Sequence, residues 1–296
     1  MTEWWFLMCY WLVMEIQVVE KILWRAQHEA LITREYMKDL IGKKILVTGA
    51  EGSLGRQCCI ALREQGIDFL PIDIIWNCEH VDIVDMPQIK ACMNTYHPDV
   101  VLHFAWMKYA TTWEELPQTA VDINIHGTEN IIATLPEHAK LVFVSTCKAC
   151  NPETAYWASK LAAERLVTHA WGVIARLYNV VQSQGNVFEI WANTPANDPL
   201  LYVWVCKRFF ISLDEAVGLV LFAAMQKDWI YSVAVPGLRE MTDIVNITYP
   251  DRSKENIAPR CWDRIEEKQF ASHEYIEKTV CDESIVKIRS RFDDAR

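Results

Sequence analysis

Tyr156 and Lys160 stand one helical turn apart in ETAYWASKLAAE, so both side chains fall on the same face of a helix. A lysine charge beside a phenol lowers the phenol pKa from its usual value of about 10. Such a phenol can take the proton from a sugar hydroxyl while hydride leaves the same carbon for a nicotinamide ring. Just upstream, STCKAC sets Thr146, Cys147, Lys148 and Cys150 side by side. The pair Cys147 and Cys150 offers two metal ligands, whereas zinc takes four, or three and a water. No second pair with suitable spacing exists in the sequence, and a thioredoxin-like redox pair belongs at an early helix start rather than after a late strand. No metal site is therefore expected.

A second constellation precedes the first. In ILVTGAEGSLG, residues 45–55, Gly49, Gly52 and Gly55 follow a short β-type run and open a helical stretch. Glycine lets the chain turn sharply, and its missing Cβ lets backbone N–H groups of the Thr48–Gly55 turn, Ser53 and Leu54 included, approach a pyrophosphate. Asp73 closes the next β-type run. A carboxylate there accepts from a ribose 2′-hydroxyl and repels a 2′-phosphate, which favours NAD over NADP as cofactor. Asp73 serves equally well as a turn cap. Asp82 and Ile83, in VDIVD, are placed to hold an adenine through a carboxylate and a backbone group.

These groups need a scaffold. Candidate strands are Lys44–Thr48, Asp68–Ile72, Val100–Phe104, Leu141–Ser145, Val173–Arg176 and Ile230–Val235. Helical stretches lie between them at Gly55–Gln65, Met86–Tyr96, Gln118–Thr134, Tyr156–His169 and Leu213–Ala224. Alternation of strand and helix predicts an α/β fold, a Rossmann-type doubly wound parallel sheet covered on both faces. The expected organisation is a helical extension over residues 1–40 and a dinucleotide-binding core over 41–180. A small C-terminal substrate lobe over 181–296 follows, with returning core elements at about 207–235. The segment after Pro250 reads as charged and irregular.

Composition narrows the class. Half of the residues are apolar (51%), enough for a sizeable core. A net charge of -10 argues against nucleic acid, which needs a basic face. Ten irregularly spaced cysteines in a chain of this length suit reduced thiols in the cytoplasm. The apolar run WWFLMCYWLVM, residues 4–14, falls short of the roughly 20 residues that span a bilayer. It reads as a helix packing on the body or on another subunit of a homo-oligomer, or as one lying on a membrane surface.

The assembled motifs resemble the extended short-chain dehydrogenase/reductases, in particular the polysaccharide-biosynthesis nucleotide-sugar 4,6-dehydratases that act on UDP-N-acetylglucosamine. GKKILVTGAEGSLG is similar to the family's G-K-x-x-L-V-T-G-x-x-G-S-x-G, and FVSTCKACNPETAYWASKLAAE to its S-T-D-K-A-x-N-P-x-x-x-Y-G-A-T-K-x-x-A-E. VVLHFAWMKYATTWEELPQTAVDINIHGTENII, ARLYNVVQSQGNV and KRFFISLDEAV match three further stretches in order. The resemblance implies NAD or NADP as cofactor, contacted also at Ala105, and a nucleotide-sugar substrate. It implies that Thr146 holds the 4-hydroxyl, that Tyr156 is the base at C4, and that Lys160 supports it and holds the nicotinamide ribose. Lys148 then takes the C5 proton, and Lys108, Asn179 and Arg208 face the sugar nucleotide. Three departures stand out: Cys147 replaces the aspartate that protonates the leaving 6-hydroxyl, Trp106 replaces a small alanine, and Trp157 replaces a glycine. A thiol of pKa about 8.5 still carries that proton at neutral pH. Cys147 also leaves open a 4-epimerase, which eliminates no water, and the three departures together leave open a non-catalytic dinucleotide-binding module.

Overall fold

The computed structural model describes residues 37–75, 77–107, 116–195, 200–227, 229–235, 237–259, 264–280 and 284–290. The chain divides into two compact units, residues 178–212 with 235–267 and, in the larger unit, 30–177 with 213–234 and 268–296.

The larger unit is built on one nine-stranded sheet. Its strands are β1 Ile45–Thr48, β2 Phe69–Asp73, β3 Glu79–His80, β4 Val100–His103, β5 Lys140–Thr146, β6 Val173–Leu177, β11 Ile230–Val233, β14 Glu274–Val280 and β15 Ile285–Ser290. The order is β14-β15-β11-β6-β5-β4-β1-β2-β3. From β3 to β11 every pairing is parallel, and β15 and β14 add an antiparallel edge. The strand order reverses beside β1, the arrangement of the Rossmann-type fold read from the sequence. Strands β1, β4 and β6 are buried along their whole length because helices cover both faces.

Those helices are α1 Ser53–Glu64, α2 Met86–Tyr96, α3 Pro117–Val121, α4 Gly127–Thr134, α5 Ala155–His169 and, returning after the smaller unit, α7 Leu213–Met225. A π-helical turn, Asp122–His126, joins α3 to α4. On one face Leu46, Val101, Phe143 and Ile174 pack with Ile89, Met93, Ile131, Ala163 and Val167. Every strand and helix expected from Lys44 to Ile230 is present, with ends shifted by a residue or two, while the expected helical extension lies outside the described residues up to residue 36. The charged segment after Pro250 is not irregular. It supplies the β14–β15 hairpin, whose Ile285, Val286 and Ile288 are buried on the sheet while Lys287 and Arg289 alternate between them.

The smaller unit holds β7 Asn179–Val180, α6 Val187–Asn193, β8 Leu200–Trp204, β9 Lys207–Arg208, β10 Phe210–Ile211, β12 Arg239–Glu240, α8 Met241–Thr248 and β13 Ser253–Ile257. Its core gathers Val181, Trp191, Leu201, Val203, Phe210, Met241, Ile244 and Val245. Residues 4–14 and Lys108 lie outside the described residues. Among the described residues no helix is long and apolar enough to cross a membrane.

Candidate active site

The carboxyl ends of three neighbouring strands, β5, β4 and β1, carry the motifs. After β1 the chain turns at Gly49, whose φ of +67° favours glycine. A Cβ on Gly49 meets the Ala105 backbone nitrogen at 2.5 Å, and one on Gly55 meets the Gly49 carbonyl at 2.2 Å. Both glycines are therefore required by close backbone packing. Gly52 precedes α1 and caps it with no side chain, so the first N–H groups of that helix point out of the turn. Asp73, at the end of β2, accepts from the Glu51 N–H (3.0 Å) with one oxygen and from the Ile74 N–H (2.8 Å) with the other. Its carboxylate thus ties the glycine turn to the β2 end. Asp82 accepts from the Val84 N–H (2.9 Å), and the Ile83 carbonyl accepts from the Asn130 amide (3.0 Å). The Ile83 side chain fills the space over Gly127, where a Cβ would meet it at 2.6 Å.

Behind the turn runs a buried hydrogen-bond chain that the motifs do not announce. The Thr128 hydroxyl donates to the Asn124 carbonyl (2.8 Å), so it accepts from His103 Nε2–H (3.1 Å). His103 Nδ1 is then bare and accepts from the Thr48 hydroxyl (2.7 Å), which itself accepts from the Ala105 N–H (3.1 Å). Burial, helped by the Lys160 charge, pushes His103 down to about 3, so the ring stays neutral and this donor order persists. The chain pins Thr48 and Ala105, the two residues that flank the cradle.

The Tyr156–Lys160 helix starts cleanly because the Thr154 side chain accepts from the Trp157 N–H (3.2 Å), an N-cap placed just ahead of it. Tyr156 and Lys160 are both buried. The Lys160 amine donates to the Val144 carbonyl of β5 (2.8 Å) and lies 2.8 Å from the centre of the Trp106 ring and 4.5 Å from that of Phe143. The Tyr156 hydroxyl accepts from the Trp106 indole N–H (2.9 Å), and its ring is flanked by Trp106 and Trp157 at 5.4 and 4.2 Å.

This arrangement overturns one expectation. Burial raises the Tyr156 pKa well above its ordinary value, and the Trp106 hydrogen bond works against that rise. Lys160 is itself pushed well below its usual value by burial, with Glu164 opposing the shift. The amine is turned to a carbonyl and an indole, so in this state it does not activate the phenol.

Thr146, Cys147 and Lys148 form the turn that follows β5. The Thr146 hydroxyl oxygen accepts from the Lys148 N–H (3.3 Å) and so shapes the turn. Cys147 is fully buried, and the Lys148 amine lies 5.4 Å from the centre of the Trp157 ring. Cys147 and Cys150 are not joined in a disulfide, and among the described residues no three His, Cys, Asp or Glu side chains gather to hold a metal.

Asn179 and Arg208 belong to the smaller unit. There they meet at Glu267: the Asn179 amide donates to one carboxylate oxygen (2.8 Å), and Arg208 Nε lies 3.5 Å from the other. Arg208 also donates to the Arg264 carbonyl (2.6 Å). Glu267 carries no motif, and only the paired polar residues around it could have suggested it.

Comparison with known proteins agrees with this architecture. The profile of a family described as polysaccharide biosynthesis protein matches residues 72–248. A UDP-N-acetylglucosamine 4,6-dehydratase (inverting) of Campylobacter jejuni is 29% identical over 264 residues, 78% of each chain. A UDP-glucose 4-epimerase of Rickettsia bellii is 28% identical over 221 residues, 62% of this chain and 63% of that one. Among solved structures, the UDP-glucose 4-epimerase of Thermus thermophilus, in complex with NAD, superposes with a TM-score of 0.67 at 18% identity, over 76% of this chain and 89% of that chain.

Proposed function

The chain belongs to the polysaccharide biosynthesis protein family, and within it we propose an enzyme that works on a nucleotide-sugar, a 4,6-dehydratase acting on a UDP-sugar such as UDP-N-acetylglucosamine. The observation that carries the reading is the placement of Tyr156 and Lys160. Both are buried at the carboxyl end of the sheet, linked through Ala105 and Trp106 to the backbone that lies against Gly49. Two relatives with this chemistry, a dehydratase and an epimerase, support the substrate class.

The diphosphate end of a nicotinamide dinucleotide fits the residues present. Close backbone packing keeps Gly49 and Gly55 without a Cβ, and the α1 N-terminus favours an anion. Asp73 and Asp82 would hold the adenosine, with NAD favoured by the Asp73 charge. When bound, the cofactor supplies an acceptor and donor of hydride at the sugar ring.

The protein's own residues handle the protons. Thr146 would orient the 4-hydroxyl and Tyr156 take its proton. Once C4 is a ketone the C5 proton is acidified, and Lys148, beside Thr146 on the same turn, would remove it. Cys147 would give a proton to the leaving 6-hydroxyl. Asn179 and Arg208, already joined through Glu267, would bind the nucleotide diphosphate, for which the planar Arg fork is suited.

Incubation with UDP-N-acetylglucosamine and mass spectrometry of the product test the reading. The expected product has lost one water, and an unchanged substrate, by mass and by magnetic resonance, counts against it. One observation favours a second outcome: Cys147 is fully buried where the family carries an acid, which suits a 4-epimerase that needs no proton there. An isomer of identical mass with an inverted C4 signal identifies that activity.

A further inference from the structure

Trp106 sits where the chemistry needs room. Its indole N–H donates to the Tyr156 hydroxyl at 2.9 Å, and its ring centre lies 2.8 Å from the Lys160 amine. These are contact distances, so no ligand atom fits between the ring and either group. The edge of the ring also meets Phe143, at 6.4 Å between centres. The backbone on either side is fixed: the Ala105 N–H donates to the Thr48 hydroxyl (3.1 Å), and the Met107 N–H donates to the Asn124 side-chain oxygen (2.9 Å). Opening the space therefore requires rotation of the Trp106 side chain, which is only half-buried, and not displacement of the segment that carries it.

We propose that Trp106 is a gate over the catalytic pair, competing with the nicotinamide riboside half of the dinucleotide for the space between Tyr156 and Lys160. The diphosphate and adenosine half seats at the Gly49–Gly55 turn without disturbing Trp106. The riboside half enters only when the indole gives up its hydrogen bond to Tyr156 and its face to Lys160. This inference rests on the reading of that turn as a dinucleotide site. The gate also sets which ligands the turn accepts. A ligand ending at the diphosphate pays no displacement penalty, whereas a complete dinucleotide does.

Calorimetric titration with NAD and with ADP, which lacks the whole nicotinamide riboside, tests the gate without any turnover. In the wild-type protein the two ligands are expected to bind about equally. Breaking one hydrogen bond and one cation–π contact corresponds to about tenfold to a hundredfold in affinity. Trp106→Ala should therefore tighten NAD by at least about tenfold and leave ADP unchanged. Trp106→Phe, which keeps a ring and loses the N–H, should give a smaller gain in the same direction. Wild-type protein that binds NAD tenfold tighter than ADP, or variants with an unchanged ratio, overturns the gate and leaves the proposed function standing. Wild-type protein that binds neither ligand overturns the dinucleotide reading and the gate with it.

Discussion

Two cations are buried against helix α5, and the protein treats them in opposite ways. Arg176, on β6, is fully enclosed by carboxylates. It donates to both oxygens of Glu164 (3.1 and 2.6 Å) and both of Glu274 (2.7 and 3.1 Å), and it faces the Cys150 sulfur at 3.3 Å. Burial works against its charge, but Glu164, Cys150 and Glu274 outweigh that and hold the guanidinium firmly protonated. Lys160, one turn from Glu164 on the same helix, has no carboxylate within ion-pair distance among the described residues. It has one carbonyl and two ring faces, and burial drives its pKa down. A buried charge with every donor matched belongs to the architecture, because removing one partner strands the others. A buried amine left short of counter-charge is costly to the fold, which makes Lys160 a candidate for a functional role.

The comparison breaks most visibly at Arg176. Arg176→Ala leaves Glu164 and Glu274 buried without their counter-ion and should cost about 3–5 kcal/mol, read as a lowered midpoint in urea denaturation. A stability within error of wild type would mean that the cluster is not structural. Tyr156→Phe should leave the fold intact and lower kcat by about a thousandfold, the scale of a lost acid–base group. A variant with near wild-type turnover would remove Tyr156 from the chemistry.

Acid titration sharpens the contrast further. His103 has a folded pKa of about 3, below its ordinary 6.5, so between these values the unfolded chain binds a proton that the native ring refuses. Stability should fall as pH drops from about 6.5 toward about 3, and His103→Gln should flatten that part of the slope. An unchanged slope in the variant would assign the acid sensitivity elsewhere. The smallest expected effect is at Lys160. Lys160→Met replaces an unpaired buried amine by an aliphatic chain of similar length and should change stability by less than about 1 kcal/mol while abolishing turnover. Its sign can be checked in alkali. A lysine with a lowered folded pKa makes wild-type stability rise with pH up to about 10.5, and the variant should lose that rise. A large destabilisation of Lys160→Met at neutral pH would place Lys160 beside Arg176 as an architectural cation.

Local signals carried the scaffold and the inventory of the site. Largely apolar runs bounded by turn residues marked β1, β4, β5 and β6, since strands buried on both faces are mostly apolar, with Arg176 and His103 as buried exceptions. Three-glycine spacing before a helix marked the cradle, and one-turn spacing marked Tyr156 with Lys160, because these patterns depend only on the backbone geometry of single elements. The β14–β15 hairpin was hidden because its strands alternate charged and apolar residues, and only the sheet edge beside β11 decides which face is buried.

What only the tertiary structure decided is the state of the site. Trp106 could be read as a large residue in a small residue's place. Its indole's position between Tyr156 and Lys160 depends on a β4 end held by Thr48 and Asn124, residues far from it in the chain. The same holds for the direction of the Tyr156 and Lys160 pKa shifts. Spacing along a helix puts two side chains on one face, but whether they activate each other depends on what else is packed there, and here desolvation outweighs the charge that the spacing alone suggests.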